Sequence, residues 1–562
     1  MMARRRWKRA KQRQQFCWAK ALLRAIMSKN SGAETIPVVD LFAGPGGLGE
    51  GFSNFKYKRR ARFRIVLSVE KDPYAHRTLR LRSFVRKLND SDAVAALATL
   101  ANTPRRPSDE EDVYREFPEA IAEADYEVLS DRSSAERELG SDQFPAGELD
   151  AIIRDRLAGA KNWVLIGGPP CQAYSLVGRA KLKSLKGDEF EKDDRHFLYR
   201  QYLRIIGTHQ PPAFVMENVK GMLSSTIGGK LIVDHILRDL RQPMSGTDLE
   251  YELYPFVKPP SQGSSLFGQE GFNASSFVIR SEDHGIPQRR HRVIILGIRK
   301  GLNVKPTFLA PQNDPVPLRS LLADLPELRS KLSRSNGLVD DWMVGVRGIL
   351  DAIGRDSVPA GVAAEMHKQL KRLDGTMTTG SAFSRYKAQR PSHFVKSVYR
   401  RRDLGGVCNH ESRRHMLSDL HRYFYAACYG LIEKRDGRSV SPKLRDFPAS
   451  LLPDHGNVDH HSAAEASFAD RFRVQVWNEP ATTVTSHIAK DGHYFIHPDP
   501  SQCRSLTVRE AARIQTFPDD YIFLGTRTAQ YYQVGNAVPP LLAEKLSGVV
   551  YDVLRRSGLT NG

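Results

Sequence analysis

Cysteine is scarce in this chain, which has five among 562 residues. So few cysteines exclude a disulfide-stapled scaffold and are typical of a reducing compartment. No apolar run of about 18 or more residues occurs, and a membrane-crossing helix needs roughly that length, so a membrane span is excluded. The remaining composition, 40% apolar and 26% charged, is that of a globular chain long enough for two or three domains.

Acidic residues are also few relative to basic ones. The chain has 64 Asp and Glu against 84 Lys and Arg, a formal charge of +20 and a pI near 9.7. Because many cations bind many phosphates and release their counterions, this excess favours a polyanionic partner, nucleic acid before membrane.

The basic excess is concentrated at the start of the chain. Residues 1–29 carry ten Arg or Lys and no acid, which is half of the net charge. The segment is interpreted as a DNA-binding arm, as an organelle transit peptide, as a flexible appendage, or as the product of an over-extended start codon with the real beginning at Met27. We expect residues 1–35 to form a flexible basic extension.

From Ile36 the pattern is that of an α/β domain. Short apolar runs typical of strands buried on both faces occur at 36–42, 64–70, 163–166, 213–217 and 293–296. Helical segments between them, such as the one that Pro73 opens, predict a mostly parallel sheet with helices on both faces. Residues 89–150 are expected to form an acidic, solvated helical insertion, and 301–475 an irregular basic module. Order returns near Ala481, and the segment 533–540 is expected to be a strand and loop before a helix at 541–554.

A glycine-rich turn follows the first predicted strand. Gly44, Gly46 and Gly49 fit the spacing G-x-G-x-x-G, and Glu70 ends the second strand at the distance expected of a ribose-binding acid. The pattern predicts a nucleoside-containing cofactor, for which NAD, FAD and S-adenosylmethionine all qualify.

Reactive side chains lie at the ends of three later strands: after one strand, at the end of the next, and directly before the strand 293–296. Cys171 comes directly after two prolines, where a stiff backbone presents its thiol at the strand end. Glu217 ends the next strand and is a candidate general acid. Gln288, Arg290 and Arg292 alternate, so their side chains are expected to face one site.

These segments resemble the ordered motifs of the DNA (cytosine-5)-methyltransferases, particularly those of bacterial restriction–modification systems. The matching segments are Asp40-Leu-Phe-Ala-Gly-Pro-Gly-Gly47, Pro169-Pro-Cys-Gln-Ala-Tyr-Ser175, Glu217-Asn-Val219, Gln288-x-Arg-x-Arg292, Arg509-Glu-Ala-Ala-Arg-Ile-Gln-Thr-Phe-Pro518 and Gln533-Val-Gly-Asn-Ala-Val-Pro539. The resemblance implies a Rossmann-like, S-adenosylmethionine-dependent methyltransferase fold, with a first catalytic part at 36–300, a target-recognition domain at 301–475 and a returning catalytic part at 476–562.

The resemblance implies a catalytic role for four residues. Cys171 would add to C6 of a cytosine flipped out of duplex DNA, and Glu217 would hold or protonate N3. Arg292 would donate to O2, with Arg290 supporting the site. The methyl group of S-adenosyl-L-methionine would then pass to C5.

The resemblance also implies which residues bind the cofactor. Phe42, Gly44 and Gly46 would surround its methionine and ribose, and Glu70 would bind the ribose hydroxyls. Asn536 and Val538 would close the pocket. In the family, an acid after a third strand contacts the adenine amine of the cofactor. The interval between Glu70 and Cys171 is unusually long here because of the acidic insertion, so Asp131 and Glu138 are both candidates for that acid.

The DNA-contacting residues are less well marked. Gln288, Arg179, Arg195, Asn409 and Arg413 are expected to contact DNA, because Arg, Asn and Gln commonly bind phosphates or base edges. Cys408, His410 and His415 suggest zinc, but no Cys-x-x-Cys pair is near them, so no metal site is expected.

Alternative functions make distinct predictions. An RNA methyltransferase on the same scaffold shares these motifs, although a large basic module favours duplex DNA. An NAD-dependent oxidoreductase leaves Cys171 and Glu217 unexplained, and a binding-only protein is expected to lack one of them. We therefore expect a monomeric enzyme in the bacterial cytoplasm, associated with the nucleoid through DNA and paired with a separately encoded restriction endonuclease.

Overall fold

The computed structural model describes residues 35–103, 106–170, 194–227, 230–259, 272–312, 314–333, 339–387, 390–453 and 470–560. The strands in these ranges are β1 (Ile36–Leu41), β2 (Lys56–Tyr57), β3 (Arg60–Ala61), β4 (Phe63–Val69), β5 (Val164–Gly167), β6 (Ala213–Val219), β7 (Thr226–Ile227), β8 (Lys230–Leu231), β9 (Tyr251–Pro255), β10 (Val278–Arg280), β11 (Gln288–Arg289), β12 (His291–Arg299), β13 (Lys331–Leu332), β14 (Phe383–Arg385), β15 (Gly406–Cys408), β16 (Arg414–His415), β17 (Lys434–Arg435), β18 (Arg438–Ser439) and β19 (Ala481–Thr482).

The helices in the same ranges alternate with the long strands in the first half of the chain and dominate the second half. They are α1 (Gly47–Asn54), α2 (Pro73–Lys87), α3 (Asp90–Ala101), α4 (Pro107–Glu116), α5 (Pro118–Val128), α6 (Ala146–Leu157), α7 (Asp194–His209), α8 (Ile232–Arg241), α9 (Arg319–Leu322), α10 (Val339–Arg347), α11 (Ile349–Ile353), α12 (Ala360–Leu370), α13 (His393–Val398), α14 (Leu417–Ile432), α15 (Val508–Ile514), α16 (Arg527–Asn536) and α17 (Pro540–Arg556). None of these described helices has the length and apolar character needed to cross a membrane.

One large sheet organises the described part of the chain. Its order is β10-β12-β6-β5-β1-β4, and β9 also pairs with β12. The four strands from β6 to β4 are parallel, whereas β12 runs antiparallel to its three neighbours. The prediction of a mostly parallel sheet is confirmed, and the carboxyl ends of β1, β4, β5 and β6 meet at one edge.

Helices cover both faces of this sheet. On one face α6, α7 and α8 pack against β1, β4, β5 and β6. On the other face α1 and α17 pack against the same sheet. Strands covered on both faces need continuous apolar residues, which explains why these runs were visible in the sequence. The helix α2 begins as its sequence predicts, because Asp72 accepts hydrogen bonds from the Tyr74 and Ala75 amides and Pro73 occupies the first turn.

The acidic segment 89–150 is helical but does not stand apart in solvent. The helices α3, α4 and α5 form an apolar cluster with α2, and Ile522 and Leu524 from the far end of the chain join it. Ion pairs tie its acids to α2, such as Arg80 Nε with Asp125 Oδ1 at 2.5 Å. The expectation of a solvated insertion is therefore wrong, because its helices pack through apolar residues and two of its acids, Glu110 and Glu127, are themselves buried in ion pairs with α2.

The module 301–475 is more regular than its composition predicts. Six helices, α9 to α14, occur in its described residues, and α10, α11, α12 and α14 share a core with Phe472 and Ile496. Some of the Gly and Ser that predicted irregular structure lies inside these helices, such as Gly345 in α10, Gly361 in α12 and Gly430 in α14, so composition alone did not predict them.

Buried ion pairs join this module to the returning segment. The Arg513 side chain is fully buried, and its guanidinium contacts Asp324 Oδ1 at 2.5 Å and Asp519 Oδ2 at 2.6 Å. Arg400 Nη2 lies 2.5 Å from Asp324 Oδ2. The two parts of the chain are thus connected by charges that water does not screen.

The returning segment contains an unexpected helix. Residues 527–536 form α16, so the predicted strand at 533–536 is wrong. Thr526 caps this helix by accepting from the Ala529 amide. At its last turn Gly535 contacts the backbone of Thr485 and Ser486 so closely that a Cβ would clash. A short apolar run flanked by glycine does not distinguish the end of a helix from a buried strand.

Candidate active site

The turn after β1 is built from residues with left-handed backbone conformations. Phe42, Gly44 and Gly46 have φ values of 56°, 58° and 100°, a region that favours glycine. A Cβ on Gly46 would come within 2.8 Å of Leu79 Cδ1. The turn therefore places bare backbone at the carboxyl edge of the sheet, in front of α1.

Glu70 lies next to this turn at the end of β4. Its Oε2 accepts from the Gly44 amide and its Oε1 from the Asp72 amide, both at 2.7 Å. Burial raises the pKa of the Glu70 carboxyl, although these amide hydrogen bonds oppose the rise. Each carboxylate oxygen keeps lone pairs that can accept from a second donor, which suits a pair of ribose hydroxyls.

A second acid is buried beneath the turn. Asp40 is 1% exposed, and burial raises the pKa of its carboxyl to about 8. A Cβ on Gly49 would lie 2.9 Å from Asp40 Oδ2, so a larger residue there would press on this carboxyl. An ordinary Asp, with a pKa near 4, is ionised at neutral pH, whereas the raised pKa leaves the Asp40 carboxyl mostly protonated.

The returning segment rests on the glycine turn. A Cβ on Gly47 would clash with the carbonyl oxygen of Val538, and the Tyr521 hydroxyl donates to the Pro45 carbonyl. Val538 is buried in the core beside α17, whereas Asn536 is exposed at the end of α16. Residues almost 500 positions apart in the chain thus border the same turn.

The helical segment after α5 borders Glu70 from the other side. Arg137 Nε donates to the backbone carbonyl of Glu70 at 3.0 Å, and Glu138 forms an ion pair with Lys71. Asp131 is exposed near Arg137. No strand pairs with the outer side of β4 in the described residues, so this segment lies where a third strand would otherwise end. Sequence reasoning missed Arg137, which no motif marks.

Glu217 and Arg292 meet at the same edge of the sheet. The two residues lie on the adjacent strands β6 and β12, and Arg292 Nε is 3.0 Å from Glu217 Oε1. Their side chains are only 14% and 13% exposed. Burial lowers the pKa of Arg292, and the charge of Glu217 opposes this change. A guanidinium and a carboxyl group are therefore held side by side, mostly shielded from water, at the carboxyl edge of the sheet.

The chain approaches this pair through Pro169 and Pro170. A Cβ on Gly168 would lie 3.1 Å from Glu217 Oε2, and Asn218 Nδ2 is 3.5 Å from the Pro169 carbonyl oxygen. Cys171 itself lies outside the described residues, but it is bonded to Pro170, whose backbone is described. The described segment that ends at Pro170, one residue before Cys171, therefore passes beside Glu217.

Arg290 has a different setting from Arg292. It is 1% exposed, and its Nη1 donates to the carbonyls of Val484 at 2.8 Å and Gly535 at 3.3 Å. Burial, with a smaller contribution from the charge of Arg292, lowers its pKa. Arg290 thus holds the returning segment against the sheet edge and supports the site from beneath.

Comparison with known proteins agrees with this geometry. A family model for C-5 cytosine-specific DNA methylases matches residues 141–254 and 264–551. The chain belongs to this family.

Related proteins show how far the similarity extends. The type II methyltransferase M.Bpa9945I of Bacillus paralicheniformis is 33% identical over 92% of this chain and 99% of its own length. The type II methyltransferase M.AgeI of Thalassovita gelatinovora is 26% identical over 91% of this chain and 98% of its own. A prophage-encoded E. coli protein described as a DNA modification methyltransferase has the same fold, with a TM-score of 0.50 and 19% identity over 93% of this chain and all of its own.

Three residues expected to contact DNA instead hold the methylase together. Gln288 is fully buried and bonds to the Ile514 carbonyl, the Gln515 side chain and the Val484 amide. A surface contact with DNA is therefore not its role in this structure. The alternation of Gln288, Arg290 and Arg292 predicted that their side chains face the same way, but it could not predict that a distant segment of the chain covers Gln288.

Asn409 and Arg413 are corrected for the same reason. Asn409 is 7% exposed and exchanges two hydrogen bonds of 3.0 Å with the Phe523 backbone. Arg413 donates to the carbonyls of Ile488 and Lys490 and stacks over the Tyr531 ring at 3.9 Å. Arg179 lies outside the described residues, and Arg195 is described only as part of the backbone of α7.

Three further cysteines and two histidines among the described residues have structural settings. Cys408, Cys428 and Cys503 are buried, as expected of core cysteines. His410 bonds to the Thr507 hydroxyl and the Pro326 carbonyl, and His415 bonds to Ser505. Among the described residues no group of His, Cys, Asp or Glu is arranged to hold a metal ion.

Proposed function

We propose that this DNA (cytosine-5)-methyltransferase uses Cys171, Glu217 and Arg292 to methylate a cytosine flipped out of duplex DNA. The observation that carries the proposal is the contact of 3.0 Å between Glu217 and Arg292 beside the loop that leads to Cys171. C5 of cytosine is a weak nucleophile until a group has added to C6. The site therefore needs a nucleophile on one side of the ring and charge control on the other.

The roles follow from the chemistry of each side chain. The Cys171 thiolate adds to C6, forming a carbon–sulfur bond and moving electrons toward C5 and N3. Glu217 in its protonated form donates to N3, and Arg292 donates to O2, so that the developing negative charge is neutralised. After the methyl group has joined C5, loss of the C5 proton and departure of Cys171 restore the aromatic ring. A stacked base cannot reach these groups, which is why flipping is required.

The glycine turn fits S-adenosyl-L-methionine, which supplies a methyl group activated on sulfonium sulfur. Phe42, Gly44 and Gly46 would accommodate its methionine and ribose, and Glu70 would accept from the two ribose hydroxyls. Asn536 and Val538 would close the pocket from the returning segment. Either Asp131 or Glu138 would contact the adenine amine, and substitution of each distinguishes between them.

We further propose the division of the chain given by its motifs. Residues 1–35 are a flexible basic extension, 36–300 and 476–562 form the catalytic domain, and 301–475 form the target-recognition domain. The enzyme acts as a monomer on duplex DNA in the bacterial cytoplasm, associated with the nucleoid. The names of the relatives M.Bpa9945I and M.AgeI, both type II methyltransferases, support a modification role beside a separately encoded restriction endonuclease.

A trapping experiment tests the mechanism. The target sequence is first found by sequencing host DNA for 5-methylcytosine after expression, and a duplex with 5-fluorocytosine at that position is then prepared. We expect a denaturation-resistant adduct with the wild type and with Cys17→Ser, but none with Cys171→Ser. An adduct of normal yield with Cys171→Ser would overturn the proposal.

A second measurement tests Glu217. Glu217→Gln keeps an oxygen for Arg292 but cannot supply a proton to N3, so single-turnover methyl transfer should slow about 10²–10⁴-fold. The matched control is Glu250→Gln, whose carboxylate is 45% exposed and pairs with Lys300. Equal rates for the two variants would contradict the assigned role.

A further inference from the structure

A strongly basic hairpin lies away from the site described above. The strands β2 and β3 and the start of β4 form this basic hairpin, residues 56–64, in which six of nine residues are basic. The basic residues are Lys56, Lys58, Arg59, Arg60, Arg62 and Arg64. No acid occurs from Phe55 to Val69.

Most of these cations are exposed and unpaired. Lys56, Lys58, Arg59 and Arg60 are exposed, and none of them forms an ion pair or a side-chain hydrogen bond with a described residue, whereas Arg64 lies near the acids Glu123 and Glu127 of α5. By contrast, Arg555 and Arg556 on the neighbouring helix α17 are both paired with Asp552. Clustered cations repel one another unless an anion lies between them, so this surface is complementary to a polyanion.

The hairpin is held in a fixed position by its aromatic residues. Phe55 and Tyr57 contact the Tyr551 ring of α17 with centroid distances of 5.5 and 5.1 Å. Arg62 stacks over Tyr57 and Tyr551 at 5.5 and 5.4 Å. The turn residues Lys58 and Arg59 have φ values of 50° and 64°, as a two-residue hairpin turn requires. The charges are therefore presented by an anchored element, which lowers the entropy cost of binding.

This surface lies at the edge of the sheet opposite to the active site. β4 runs for seven residues from Phe63 to Val69 before it reaches Glu70, and seven residues at about 3.3 Å each extend roughly 20 Å. Ile36 pairs with Phe63, so the hairpin lies beside the amino ends of the strands. A straight duplex whose cytosine reaches Glu217 at the carboxyl edge does not contact this surface.

We propose that the basic hairpin is a second DNA-contact surface, which binds backbone phosphates of a duplex segment other than the one in the active site. DNA is favoured because the family to which the chain belongs acts on it, and because phosphates at regular spacing match a row of exposed cations. The second contact keeps the enzyme on long DNA while the active site samples different segments. The proposal depends on DNA as the substrate but not on the mechanism proposed for Cys171.

The test is the salt dependence of binding to long duplex DNA that lacks the target sequence. The variant is Lys58→Asn, Arg59→Asn, Arg60→Gln, in which Asn tolerates the left-handed backbone of the turn. Each lost phosphate contact reduces the slope of log K against log salt by about 0.9, so three lost contacts reduce it by about 2.7. The matched control removes three cations on the other side of the sheet from β4, Arg238→Gln and Arg241→Gln on α8 and Lys300→Gln directly after β12. All proteins keep residues 1–34, so the basic start contributes equally to each measurement.

Methylation kinetics distinguish a second surface from a part of the active site. On a short duplex with one target, kcat and KM of the hairpin variant should equal those of the wild type, whereas on long DNA its KM should rise. In the binding assay, the proposal is overturned if the salt slope of the variant matches that of the control, or if the slope changes only when RNA of equal length replaces the DNA. In the kinetic assay, it is overturned if kcat or KM changes as much on the short duplex as on long DNA. Because non-target binding needs no catalysis, these results are independent of whether Cys171 proves to be the nucleophile.

Discussion

Replacing Arg513 by methionine should destabilise the enzyme strongly. The substitution keeps an unbranched apolar stem like that of arginine but removes the guanidinium and its positive charge between Asp324 and Asp519. Both acids are less than 10% exposed, so each would become a buried carboxylate without its main partner. Breaking a buried ion pair in this way costs about 3–5 kcal/mol.

In a protein of this size, such a loss of unfolding free energy lowers the midpoint of thermal unfolding by only a few degrees. Unfolding entropy of about 2 cal/mol/K per residue over roughly 500 residues implies about 1 °C per kcal/mol, so we expect a midpoint about 3–5 °C lower. The control Arg555→Met removes an arginine that is 37% exposed and pairs with Asp552, and its midpoint should change by less than about 1 °C. A loss for Arg513→Met no larger than that of Arg555→Met would refute the reasoning.

The same residue predicts a dependence on pH. Burial tends to raise the pKa of Asp324, but the charge and hydrogen bonds of Arg513, assisted by Arg400, outweigh it and lower the pKa. A carboxyl with a lowered folded-state pKa stabilises the fold above its unfolded-state pKa of about 4, and this stability is lost as pH falls through the folded-state value. The wild type should therefore lose its advantage over Arg513→Met below about pH 4. Adding Asp324→Asn to Arg513→Met should recover part of the loss at neutral pH.

Three further substitutions test other features. Asp40→Asn should gain stability relative to the wild type as pH rises from about 4 to 8. Burial raises the pKa of Asp40 to about 8, so in this range the folded wild type holds a proton that its unfolded state has lost. Unfolding midpoints of the two proteins that change in parallel across this range would contradict the prediction. Gly51→Ala should lower the free energy of unfolding by about 1–3 kcal/mol, because its Cβ would clash with Ala543 and the Pro540 carbonyl. The control Gly147→Ala has open space around the new Cβ and should not destabilise the fold in the same denaturation assay. Gln288→Ala should lower stability by about 1–3 kcal/mol through unpaired buried groups while leaving the Kd for DNA of the folded protein unchanged; a selective loss of DNA affinity would restore a contact role for this residue.

The sheet and its ligand-facing turn were predictable because each depends on local sequence. Strands covered on both faces require unbroken apolar runs, and a left-handed turn requires glycine at Gly44 and Gly46. Glu70 and Glu217 follow such runs directly, so their position at the carboxyl edge follows from parallel pairing. The pairing of Glu217 with Arg292 needed only the order of the motifs and the alternation of side chains.

Long-range packing was not predictable in the same way. Gln288, Asn409 and Arg413 have the polarity of DNA contacts, yet segments that are distant in sequence cover all three. Arg137 carries no motif, because its partner is the backbone carbonyl of Glu70 rather than a side chain. A single sequence records which groups can form hydrogen bonds but not which distant segment provides the partner.

The dependence of the glycine turn on Val538 has a consequence for synthesis on the ribosome. The amino-terminal strands emerge first, but the surface that backs their turn comes from residues translated almost at the end. A nascent chain that still lacks α17 would leave one face of its sheet open to water and its nucleotide pocket unfinished. Enzyme released early, by a stop codon before Pro540, would therefore be both inactive and prone to aggregation.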